Sequence, residues 1–187
     1  MTAALLDACV LYSAPLRDLF MHLTVRLLFQ PKWTDKIHEE WIEKVLEHRP
    51  DIERSRLERT RELMDRWARD WHVPEHAALI PTLSLPDPDD RHVLAAAIAA
   101  GVPLIVTFDL SHFPEAALAP HGVQAQHPDE FASDLLQEDP DAFLAAVRIH
   151  RASLKLPPMS PGSYLATLSA CGLPETAAKL SEHENQI

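Results

Sequence analysis

"LPDPDDRHVLAAAIAAGVPLIVTFDLSHFP" occupies residues 85–114 and holds four aspartates, Asp87, Asp89, Asp90 and Asp109. Three precede an alanine-rich run and one follows an apolar run. "DRHVLAAAIAA" has the length and apolar content of a helix packed on a sheet. Asp89 is the better-placed N-cap for that helix, which leaves Asp90 over in its first turn. Gly101 suits the residue that closes it. "PLIVTF" (103–108) is the clearest strand in the chain, and Asp109 follows it directly.

Working outward, strand and helix patterns alternate. "AALLDACVLY" (3–12) reads as a buried strand ending at or near Asp7. "APLRDLFMHLTVRLLF" (14–29) has apolar residues at helical spacing. "LFQPKW" carries a second short strand, with Pro31 at its end or on an edge. Thr34 caps "DKIHEEWIEKVLEHR", whose face is Ile37, Trp41, Val45 and Leu46. Asp51 starts a further helix running to about Asp70. "HAALI" (76–80) reads as a strand and "VQAQ" (123–126) as a weaker one. This alternation predicts an α/β domain with a mostly parallel sheet over residues 1–127. Residues 128–187 then form an all-helical extension. "HPDEFASDLLQ", "DPDAFLAAVRIHRASLKL", "SPGSYLATLSACG" and "LPETAAKLSEHE" are all helical, and Asp139-Pro140 and Ser160-Pro161 pair an N-cap with proline at the first helical position.

Composition narrows the class. With 187 residues, 47% hydrophobic and 24% charged, the chain suits an ordinary globular protein with a real core. No apolar run is long enough to span a membrane, and "MTAALLDACVLYSAP" lacks the basic start of a signal peptide, so a cytoplasmic location is expected. Cys9 and Cys171 are too few and too distant for a disulfide framework. The net charge of −11 argues against a large basic nucleic-acid surface, since such binding rests on Lys and Arg neutralising phosphates. An RNA substrate reached through metal ions and a local basic patch is compatible with it. "RSRLERTRELMDRWAR" (54–69) gathers much of the positive charge and reads as a solvated helix face.

In open α/β sheets ligands bind beyond the carboxyl ends of the strands. Asp7 and Asp109 sit at two such ends, and Asp90 opens the helix that leads into "PLIVTF". Glu40 borders the apolar face of its helix, with Glu39 and Glu43 as competitors. Two like charges about 4 Å apart repel by roughly 4 kcal/mol at an effective dielectric near 20. Such a cluster raises its pKa values or takes up cations. Oxygen ligands point to Mg²⁺ or Mn²⁺ rather than zinc. The eleven histidines include no H-x-x-x-H pair on a helix and most read as surface residues. Acidic metal sites of this kind support phosphodiester hydrolysis.

These residues resemble a known family. "LLDACVLYSAP", "EEWIEKVL", the 85–114 stretch and "QHPDEF" are similar to the PIN-domain ribonucleases, and more narrowly to VapC-type toxins with a helical C-terminal extension. The resemblance implies a three-layer α/β/α core around a parallel sheet and a Mg²⁺ or Mn²⁺ site. By motif position it implies Asp7, Asp90 and Asp109 as metal ligands, Glu40 as a further catalytic acid and Thr107 as a supporting residue. It also implies an RNA substrate and an antitoxin partner. The extension could help bind that antitoxin, cover a sheet face or form a homodimer contact. "SYLATLSACGLPETAAKL" suits packing within the chain better than an outside partner. Cys9 stands where many members have asparagine, which could weaken the hydrogen bonding that orients Asp7. Asp109 stands where relatives often have asparagine, which makes the site more negative. A catalytically silent PIN-like module that binds RNA or protein is the alternative reading.

Overall fold

The computed structural model describes residues 1–155 and 157–187. Its centre is a sheet of four strands, β1 (Thr2–Leu6), β2 (Phe29–Lys32), β3 (Leu104–Val106) and β4 (Gln124–Gln126), in the order β2-β1-β3-β4. All three pairings are parallel, with Leu5 opposite Lys32, Leu6 opposite Val106 and Val106 opposite Gln126. Parallel neighbours require crossovers, and helices supply them. α1 (Ala8–Tyr12) and α2 (Ala14–Val25) join β1 to β2. α3 (Asp35–His48), α4 (Arg54–Trp67) and α5 (Arg91–Ala100) join β2 to β3, and α6 (Glu115–Leu118) joins β3 to β4. The chain ends in α7 (Pro128–Glu138), α8 (Pro140–Ser153), α9 (Pro161–Ala170) and α10 (Pro174–Ser181). The architecture is the expected α/β/α arrangement around a parallel sheet, followed by a run of helices.

Burial explains the central elements. Ala4, Leu5 and Leu6 of β1 and Ile105 and Val106 of β3 are fully enclosed, as strands covered on both faces must be. α5 buries His92 through Ala97, and its small alanines let the helix lie close on β1 and β3. Gly101 ends it in the left-handed conformation at φ +64°. Pro31, which cannot donate to a ladder, lies in β2 at the sheet edge.

Several local expectations are corrected. The apolar run 3–12 is strand only to Leu6; Asp7 turns the chain and "ACVLY" is helical. "HAALI" forms a turn leading into a 3-10 turn at Ile80–Thr82, since Pro81 cannot donate to a ladder and, among the described residues, no strand pairs with it. Asp89 is not the cap: Asp87 accepts from the Asp89 N–H at 2.9 Å and caps a short turn, Pro88–Asp90, ahead of α5. The helix expected from Asp51 begins at Arg54 and ends at Trp67. The helix expected over "DPDAFLAAVRIHRASLKL" ends at Ser153, and Leu156 lies outside the described residues. The charged helix α4 is a solvated face as expected, with Arg54 bonded to Glu58 one turn on. Arg54 and Arg61 also reach Glu39, Glu43 and Asp35 of α3.

The last four helices share the sheet's core. Phe131 of α7 packs on Phe29 of β2 and Phe20 of α2, with ring centroids 5.1 and 5.9 Å apart. α8 lies along α2, and α10 packs on α7 and α9. Tyr164, Leu165, Leu168, Leu173, Ala177 and Leu180 are buried, so the apolar spacing of "SYLATLSACGLPETAAKL" is used within the chain. Buried Asp129 accepts the backbone N–H groups of Glu175 and Thr176, each at 2.8 Å, fixing the start of α10. These are two of the orphan donors of a helix N-terminus.

Candidate active site

The chain leaves β1 toward β2 on one side, and leaves β3 toward β4 on the other. The carboxyl ends of β1 and β3 therefore flank a topological switch point, the place where open α/β sheets form a crevice. Leu6 lies opposite Val106, and the Asp7 N–H donates to the Val106 carbonyl at 3.1 Å. Asp7 and Thr107 consequently emerge side by side, although 100 residues apart in sequence.

Asp7 is held through both oxygens. Its Oδ1 accepts the Ala8 N–H at 2.7 Å, as the N-cap of α1. Its Oδ2 accepts the Thr107 hydroxyl at 2.7 Å and the Cys9 thiol at 3.3 Å. Thr107 thus supports Asp7 directly, and its Oγ1 also accepts the Asp109 N–H at 3.1 Å. Burial pushes the Asp7 pKa above the ordinary carboxylate value; these hydrogen bonds act against it, and the Glu40 charge adds to the rise. Cys9 supplies a donor to Asp7. Burial, then the Asp7 charge, pushes the thiol up to about 12. In the metal-free site at neutral pH it is a hydrogen-bonding thiol.

Asp109 lies exposed at the mouth, and one oxygen each of Asp7 and Asp109 and the Cys9 sulfur lie within 4.8 Å of one another. Asp90 stands nearby at the head of α5, grouped with Asp87 and His112 within the same limit. Its Oδ2 is 2.8 Å from His112 Nδ1. Burial raises the Asp90 pKa, the bond to His112 lowers it and the Asp7 charge raises it further. That bond to Asp90 raises the His112 pKa, with the Asp109 and Asp87 charges adding. Glu40 Oε1 lies 2.9 Å from His92 Nε2 and 3.6 Å from Lys36 Nζ. Glu39 and Glu43, by contrast, are bound to Arg54 on the outer face of α3. Of the three glutamates, Glu40 is the one whose charge reaches Asp7.

The sequence passed over two residues. His92 is 3% exposed and His112 is half-buried against Asp90, so reading histidines as surface groups fails here. His38 and His150 are also fully buried. Neither His92 nor His112 has metal-ligand spacing. What could have pointed to them is proximity in sequence, two residues after Asp90 and three after Asp109.

A hard divalent cation fits this donor set. Asp7 and Asp109 offer carboxylate oxygens at one point, and among the described residues no Lys or Arg pairs with either. A buried carboxylate whose ionisation is disfavoured gains from a cation in a way that an arginine-paired one does not. Carboxylate oxygens outnumber the single sulfur in the set, which suits a hard cation better than a thiophilic one.

Comparison with known proteins accords with this geometry. Residues 3–111, more than half of the chain, match the model described as "PIN domain". Residues 128–182 match that described as "VapC50 C-terminal domain". A protein of Mycobacterium tuberculosis named "Putative ribonuclease VapC50" is 41% identical over 90 residues, 48% of this chain and 53% of that protein. The chain thus spans about half the length of that curated relative. No solved structure matches the chain. With its fold, the acids at the switch point and a match over residues 3–111, the chain belongs to the PIN-domain family.

Proposed function

We propose that this protein is a Mg²⁺- or Mn²⁺-dependent endoribonuclease that hydrolyses RNA phosphodiester bonds, acting as the toxin of a type II toxin–antitoxin pair. Residues 1–127 are read as the nuclease domain and 128–187 as its helical extension. The observation that carries the reading is the meeting of Asp7 and Asp109 oxygens within 4.8 Å at the switch point. The relative's printed name, a ribonuclease, agrees with it. An RNA substrate and an antitoxin partner place the activity in the cytoplasm.

Asp7, Asp90 and Asp109 are assigned to the cation. A bound divalent ion lowers the pKa of a water molecule and stabilises charge on the departing oxygen. Thr107 and the Ala8 N–H hold Asp7 in one rotamer, with both oxygens fixed. His112 holds one oxygen of Asp90 and His92 one oxygen of Glu40, to which the role of orienting the attacking water is assigned. Because His92 Nδ1 is buried without a partner, the neutral tautomer carrying its proton on Nε2 suits the site: it donates to Glu40 and leaves only a lone pair enclosed.

Adding Mn²⁺ to the metal-free chain is expected to give carboxylate-dependent binding by calorimetry and RNA cleavage that EDTA abolishes. Cleavage that survives chelation, or absence of Mn²⁺ binding, rejects the assignment; a silent PIN-like module predicts the latter. A second test concerns His92. Groups that orient a ligand or catalytic carboxylate are worth about 10–100-fold. His92→Leu is expected to lower the cleavage rate about tenfold, while His92→Gln, which keeps a donor near the position of Nε2, retains most of it. Equal rates for the two variants would remove the orienting role.

A further inference from the structure

The ring of Phe108 belongs to the acid-bearing loop, between Thr107 and Asp109, yet it points into the helical extension. A Cβ built on Gly172, in the turn between α9 and α10, would lie 2.6 Å from Phe108 Cε1 and 2.9 Å from its Cζ. No side chain fits between them, and Gly172 itself sits at φ +92°. On another side the ring meets His127 edge-on, with centroids 5.0 Å apart at 81°. His127 is the cap of α7, accepting the Asp129 N–H through Nδ1 at 3.2 Å.

Both walls are themselves fixed. The Leu173 N–H closes α9 on the Leu168 carbonyl at 3.0 Å, and Leu173 is fully buried. Asp129 clamps the first N–H groups of α10, as described above, and the Thr176 hydroxyl donates to the Asp129 carbonyl at 3.1 Å. The turn that carries Gly172 is thus tied at both ends. On the backbone side, the Phe108 N–H donates to Cys9 Sγ at 3.4 Å. The flanking residues carry the Thr107–Asp7 and Asp109–Thr107 bonds. A displaced ring would move the residue that lies between the two making these site contacts.

We infer that the C-terminal extension is a positioning part of the active site: its Gly172 turn, together with His127 at the cap of α7, clamps Phe108 and so sets the Thr107–Asp109 loop against Asp7. Gly172, His127 and Phe108 touch no reacting atom and act through the loop. The inference builds on the reading of Asp7 and Asp109 as a cation site.

The test uses the full chain, with Mn²⁺ affinity by calorimetry and amide exchange across residues 107–110 as separate readouts. Gly172→Ala is expected to weaken Mn²⁺ binding about tenfold, the lower end of what outer contacts to a metal site contribute, and to speed exchange in the loop. Adding Phe108→Leu removes Cε1 and Cζ and should restore most of the affinity, although the strained backbone at residue 172 remains. Wild-type affinity in Gly172→Ala, or a lowered melting temperature with affinity intact, overturns the inference; so does failure of Phe108→Leu to rescue. If Gly172→Ala does not fold, Phe108→Ala leaves the glycine turn unstrained and should loosen the loop and weaken binding, and unchanged values overturn the inference. If the wild-type chain binds no Mn²⁺, the cation reading fails, while loop exchange in wild type and variant still decides whether the turn positions the loop.

Discussion

Replacing Asp7 with Asn is expected to remove RNA cleavage, by at least about a hundredfold, while the metal-free protein melts at a higher temperature than wild type. The loss follows from charge. Asparagine keeps the N-cap acceptor for Ala8 through Oδ1 but puts the donor Nδ2 where Oδ2 accepted, so the Thr107 hydroxyl must turn to accept from it; the negative oxygen facing Asp109 is gone. Removing one preorganised electrostatic partner of a reaction commonly costs about 10²–10³ in rate. The gain in stability follows from the burial that raises the Asp7 pKa. A carboxyl whose folded pKa lies above its unfolded value contributes least to stability once ionised. The loss sets in as pH rises through the ordinary value and is complete above the raised one. Asparagine never ionises and escapes it. Cleavage assays and thermal melts on the same preparations check both halves. Retained cleavage would sink the assignment, and a lower melting temperature would show that burial is not what disfavours the ionised form.

Acid is expected to destabilise the protein through His150. That side chain is fully enclosed, with Nδ1 2.8 Å from the Tyr164 hydroxyl and its ring stacked on His22 at 5.1 Å. Burial lowers its pKa to about 4, with the His22 charge acting in the same direction. An unfolded chain takes up this proton near pH 6.5, whereas the native state resists until about 4. Stability is therefore fully present above 6.5 and falls as pH drops through that window, by about 3 kcal/mol at one pKa unit per 1.4 kcal/mol. His38, buried beside Asp65, shifts the same way to about 4, with burial the main cause. Urea unfolding at pH 7 and pH 4.5 measures the slope. His150→Asn, which keeps a polar group near the position of Nδ1, should flatten a large part of it. The same slope in variant and wild type would assign the acid lability elsewhere.

How much of this was legible beforehand differs by residue. β3 and α5 announced themselves, because a short apolar run between Pro103 and Asp109 and an alanine-rich run ending in Gly101 each have few other ways to bury themselves. Thr34 was legible as a cap for a similar local reason, and its hydroxyl accepts the Ile37 N–H at 3.1 Å. "HAALI" misled because apolar composition does not say whether a partner strand is available. Asp89 and Asp87 exchanged roles because one extra turn of 3-10 helix precedes α5, and capping signals carry no information on that. The histidines were misjudged because an imidazole's burial depends on which acid faces it across the fold. His92 meets Glu40 from a different helix, 52 residues away.

Read alone, the chain determined its α/β class, the run of helices after the sheet and the identity of the acids available for a site, since periodicity and residue type are local properties. Tertiary structure alone decided which of those acids meet. The parallel register of β1 and β3 sets Asp7 beside Thr107, the first turn of α5 sets His92 against Glu40 and not Glu39 or Glu43, and the α9–α10 turn reaches Phe108 from the far end of the chain. Each is a contact between distant segments, and its energy depends on where packing has carried both partners.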